Sequence, residues 1–127
     1  MKTTKKDFDA FKQHFIMWIN KLGLTDIHIN FVHEEEESYA HVIGNIEQKA
    51  YVVFLSKTFI DMEKMPKGFM KYLAFHEACE CLLYGVRAIA SDREFNENTL
   101  DSEIHSIINR LEKIFVGDCN FKVEVEV

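Results

Sequence analysis

The residues with most chemistry to offer are His76, Glu77 and Glu80, in the stretch Phe75-His76-Glu77-Ala78-Cys79-Glu80. On a helix His76 and Glu80 stand one turn apart, with Cβ atoms about 5–6 Å from each other. An imidazole and a carboxylate at that spacing can grip one metal ion. Glu77, roughly 100° round the helix, can then handle a water molecule. This is the layout of the H-E-x-x-H zinc helix, with Glu80 where the second histidine would stand. The string is short and the chain has 6 histidines, so its context must carry the argument. Phe69, Leu73 and Leu83 share the helical face of His76 and Glu80, which places that pair among core residues. An unpaired carboxylate there would cost several kcal/mol or take up a proton. A metal ion would compensate it, and so would a histidine paired with a buried glutamate.

A catalytic zinc takes three protein ligands and keeps one position open for water. A later helix packed against the motif is the natural source of the third. His105 is the first choice there, Glu103 the second and Asp101 the third. With His105 the donors are two histidines and a carboxylate, and Glu77 is the general base that takes a proton from the attacking water. Glu112, one helical repeat beyond His105, could orient its second ring nitrogen. The remaining chemistry-bearing residues read as structural. His28, His33 and His41 sit on strands or their ends, as surface or cross-strand residues. Glu34-Glu35-Glu36-Glu37 is a solvated turn, without the alternating geometry of a calcium loop.

Around the motif the periodicity changes twice. Phe8, Phe11, Phe15, Trp18, Ile19 and Leu22 mark an amphipathic helix from about Lys6 to Leu22, stopped by Gly23. Asp26 to His33, Tyr39 to Ile46 and Ala50 to Leu55 alternate as strands, and their short connections suggest an antiparallel meander. Pro66 opens the motif helix, expected over Lys67 to Tyr84 with Gly85 at its end. After a polar connection over Val86 to Asn98, Thr99 is placed to cap a helix carrying Leu100, Ile104, Ile107, Ile108, Leu111, Ile114 and Phe115, ended by Gly117. Phe121 to Val127 alternates as a last, charged edge strand. The expected fold is α+β, with the helices packed on a mostly antiparallel sheet.

At 127 residues the chain is sized for one domain with a real core. A net charge of −6 argues against nucleic acid as the main partner. The apolar runs are too short to span a membrane, and the basic start leads into no signal-type apolar segment. The three cysteines, Cys79, Cys81 and Cys119, are odd in number and form no C-x-x-C. That fits packing in a reducing compartment better than disulfides or a thiolate zinc site. The expected location is cytoplasmic.

The order of elements over about residues 26 to 115 resembles the small zincin-like metallopeptidases, including SprT-like and minimal gluzincin types. The segments Ala74 to Leu83 and Glu103 to Glu112 are also similar to those of small phage-encoded proteins of metallopeptidase type. The resemblance implies a zincin-like fold, zinc as cofactor, and a peptide or protein as substrate or partner. It also implies His76 and His105 as ligands and Glu77 as base, with Glu80 the departure from the family's pattern. The competing class is a non-catalytic protein that keeps the zincin shape as a binding or regulatory module.

Overall fold

The computed structural model describes residues 1–92 and 96–115. Its elements are α1 (Lys5–Lys21), β1 (His28–Glu34), β2 (Ala40–Asn45), β3 (Ala50–Ser56), α2 (Phe69–Ala90) and α3 (Glu97–Phe115). Among the described residues the architecture is α+β, three helices and one three-stranded sheet.

Helix α1 begins where its sequence supplies a reciprocal cap. The Thr4 hydroxyl accepts from the Asp7 amide at 3.1 Å, and the Asp7 carboxylate accepts from the Thr4 amide at 2.8 Å. It ends at Gly23, whose φ of +73° is open to glycine at little cost. Phe11, Phe15 and Ile19 are its buried residues, the stripe expected from their spacing.

The sheet is not the expected meander. The strand order is β1-β3-β2, with β1 parallel to β3 and β2 antiparallel to it. The register pairs Ile29 with Tyr51 and Phe31 with Val53 on one side, and Val42 with Val53 on the other. Only β2 and β3 form a hairpin. The reason lies in the side chains of β3. Tyr51, Val53 and Leu55 are buried on one face, while Val52 and Phe54 are half-buried on the other. Such a strand loses most by standing at an edge. Strands β1 and β2 carry His28, Asn30, His41 and Asn45, and they tolerate the edges better. Loop length limited the connections but did not choose between neighbours.

Helix α2 also departs from expectation. It starts at Phe69, after Gly68 at φ +80°, and runs through Gly85 to Ala90. Glycine lowers helix stability by only about 1 kcal/mol, and here the missing side chain is used. A Cβ on Gly85 would lie 2.7 Å from Oε1 of Glu103, so α3 approaches α2 closely at this point. Helix α3 starts two residues before Thr99. Asn96 is its cap, its side-chain oxygen accepting from the amides of Asn98 and Thr99. Gly117 and the expected strand Phe121 to Val127 lie outside the described residues.

Helices α1 and α2 pack on each other and share one core with the Tyr51, Val53 and Leu55 face of the sheet. The far end of α2 is pinned to the sheet by Tyr84, whose hydroxyl donates to the Gly44 carbonyl at 3.0 Å while its ring meets Tyr51 edge-on. A Cβ on Gly44 would stand 2.7 Å from Cε1 of buried Tyr51 and 3.1 Å from Tyr84. We therefore expect Gly44→Ala to destabilise the protein by about 1–3 kcal/mol, the usual cost of overpacking. Urea unfolding of the two proteins checks this, and equal midpoints would contradict the packing.

Candidate active site

Helix α2 buries Met70, Leu73, Ala74, Glu77, Ala78, Cys81 and Leu82. The recurring intervals of three and one form a single stripe, and Glu77 stands inside it. The expectation that His76 and Glu80 share the core face is thus corrected. The His76 side chain is 54% exposed and that of Glu80 32%, while Glu77 is 4% exposed as a residue. The physical reason is that α2 turns its small and aliphatic residues toward α1 and the sheet. Phe69, Tyr72 and His76 are left along the rim.

The three residues remain neighbours. His76 Nε2 lies 3.6 Å from Oε1 of Glu80. The other carboxylate oxygen of Glu80 accepts from Arg87 at 2.9 Å, two turns further on. His76 and Glu77 together line a cavity of about 290 Å³ between α2 and the start of β2. Phe69, Tyr72 and Leu73 form its α2 side, and Ser38, Tyr39 and Ala40 close it from the sheet. Tyr39 meets Phe69 edge-on at 5.5 Å, which makes one wall firm. Neither Arg87 nor the Ser38–Ala40 wall was singled out from the sequence. The stripe containing Glu77 was legible there in its spacing.

Burial raises the Glu77 carboxyl to about 7, and the negative charge of Glu80 adds to the effect. The thiols of Cys79 and Cys81 are pushed up too, by burial first, and for Cys81 to about 12. Both therefore stay protonated near neutrality and offer neither thiolate ligand nor nucleophile.

Two donors about 2.1 Å from one tetrahedral ion stand roughly 3.4 Å apart. The 3.6 Å between His76 and Glu80 therefore suits two corners of such a site. The third corner is where the expectation and the structure part. Among the described residues, no three His, Cys, Asp or Glu side chains are gathered as a metal-holding group. His105 is exposed, with Nδ1 2.8 Å from the Asp101 carbonyl of its own helix. That carbonyl, rather than Glu112, is its hydrogen-bond partner among the described residues. Asp101 is exposed, and Glu103 packs at Gly85, nine residues or about 13 Å along α2 from His76. Helix α3 meets the C-terminal half of α2, whereas the motif occupies the first half. The structure brings His76, Glu77 and Glu80 together and does not bring His105 to them.

Comparison with protein-family models, curated proteins and solved structures finds no match to this chain.

The Glu77 carboxyl gives a signed pH dependence. Unfolded it titrates near the ordinary 4.5, and folded near 7. Its contribution to stability is therefore full below pH 4.5 and declines as pH rises through 7. Glu77→Gln removes the ionisation, so it should leave stability almost unchanged at pH 4.5 and raise it by roughly 2 kcal/mol at pH 8.5. Thermal melts of both proteins across that range test the sign. A difference that does not grow with pH would place Glu77 in a more polar setting.

Proposed function

We propose that the protein is a small metal-dependent hydrolase of the zincin-like metallopeptidase type, acting on peptide bonds with Glu77 as general base. The observation that carries the reading is the shared wall: a buried carboxyl and a histidine side by side on one cavity, with a second carboxylate one turn on. His76 and Glu80 are the residues that would hold the ion, zinc by the nature of the donors. When bound, the ion supplies Lewis acidity and lowers the pKa of a coordinated water.

The chain's own residues do the rest. Glu77 takes the proton of the water that attacks the carbonyl and returns it to the leaving amine. Its half-apolar setting favours both roles near neutrality, because a base works best with a pKa close to the working pH. Arg87 holds one oxygen of Glu80, leaving the other toward His76. Tyr39, Phe69, Tyr72 and Leu73 offer an apolar seat beside the reacting bond. With two donors from the described residues, an ion would be held weakly, and activity would depend on added metal.

One observation favours a second reading. The unfilled third corner among the described residues suits a non-catalytic module that uses the same cavity to bind a peptide. Metal addition separates the two. As a hydrolase, the protein cleaves an unstructured protein substrate when zinc is supplied, and Glu77→Gln lowers turnover by about 10²–10⁴-fold without changing zinc uptake. His76→Ala loses zinc uptake itself. No cleavage at saturating zinc, or cleavage by Glu77→Gln at the parent rate, would overturn the catalytic reading.

A further inference from the structure

A second recess lies away from the His76 cavity, where the end of α1 meets α3. One part, of about 350 Å³, is lined by Lys21, Gly23, Ser106, Asn109, Arg110 and Lys113, with Leu22. A second part, of about 330 Å³, is lined by Trp18, Lys21, Lys113 and Ile114. The two share Lys21 and Lys113, so they form one groove with a polar end and an apolar end.

Its charge is the reverse of the chain's. Lys21, Arg110 and Lys113 line it, and no carboxylate does so among the described residues, on a protein of net charge −6. Arg110 also borders a neighbouring cavity with Asp26 and Glu103, where Asp26 is paired with Lys49 at 2.6 Å. Lys21 rests over the Trp18 ring at 5.1 Å, and Arg110 donates to the Ser106 hydroxyl at 2.9 Å. Each lysine stands in the last turn of its helix, and the helix dipole accounts for one cation at each end. It does not account for their convergence with Arg110.

Trp18 supplies the apolar wall of the groove, its ring packed edge-on against Phe75 at 4.7 Å.

We propose that this groove binds a small organic anion, a phosphate or carboxylate that carries an apolar group. The anionic head lies among Lys21, Arg110 and Lys113, where charge-assisted hydrogen bonds are strongest. The apolar part lies against Trp18 and Ile114. The site is separate from the α2 cavity, and its occupancy does not depend on the hydrolase reading.

Trp18 is the only tryptophan in the chain, so tryptophan fluorescence reads the residue that forms the apolar wall of the groove. The intact protein is titrated with n-butyl phosphate, butyrate and inorganic phosphate. We expect a saturable change with butyl phosphate or butyrate, the tighter of the two identifying the head group. Inorganic phosphate should bind at least about tenfold more weakly, for want of the apolar contact. Lys113→Met and Lys21→Met should each weaken binding about tenfold, with unchanged far-ultraviolet circular dichroism, and salt should weaken it in the parent. Absence of saturation by both organic anions up to about 10 mM overturns the proposal. So does undiminished binding by the Lys21→Met/Lys113→Met double variant.

Discussion

The stripe from Met70 to Leu82 governs this fold, because it must both hold α2 in the core and carry a carboxyl there. Leu73, Ala74, Ala78, Cys81 and Leu82 are each exposed by 6% or less. Small residues at Ala74 and Ala78 let α1 and the sheet come close. A glutamate in the midst of them cannot be hydrated as it would be on the surface. It lines a cavity with His76. The tight packing that stabilises α2 is therefore also what raises the Glu77 carboxyl toward 7. The packing that holds α2 in place thus works against the ionised form of this one carboxyl.

The sheet meets a related constraint. Strand β3 is apolar on both faces and takes the centre, while β2 becomes an edge. That places Ser38, Tyr39 and Ala40 at the mouth of the α2 cavity. Had β2 lain in the centre, as a meander requires, this wall would not face α2 from a free edge. The order of strands thus decides which backbone borders the candidate site, and a mixed sheet is the means.

Helix α3 shows how one close contact can direct a site. Gly85 admits the Glu103 side chain, and this anchors α3 against the last half of α2. Its residues then border the two recesses at the α1 end, and His105 faces solvent. The histidine and carboxylate of the motif keep each other's company at 3.6 Å, with Arg87 beside Glu80. A surface pair of this kind adds little stability. Its interest lies in the donors it presents at the cavity rim.

Local pattern alone determined a good deal. The Thr4/Asp7 cap, the aromatic stripe of α1, the stop at Gly23, the existence of three strands and the helical spacing of His76, Glu77 and Glu80 all follow from near neighbours. Interactions within a turn or a strand depend on side chains a few residues apart, which a sequence displays directly. Strand order, the passage of α2 through Gly85 and the reach of α3 depend on residues far apart in the chain. Propensity names Gly85 as a stop, and only the Glu103 contact explains why it is not one. The burial of Glu77 lies between these cases. Its spacing with Leu73, Ala74, Ala78 and Cys81 was visible, but Phe69, Leu73 and Leu83 argued for a core face at His76 and Glu80 instead. Tertiary packing decided otherwise, because the free energy of a whole buried stripe outweighs the desolvation of one carboxyl that can keep its proton.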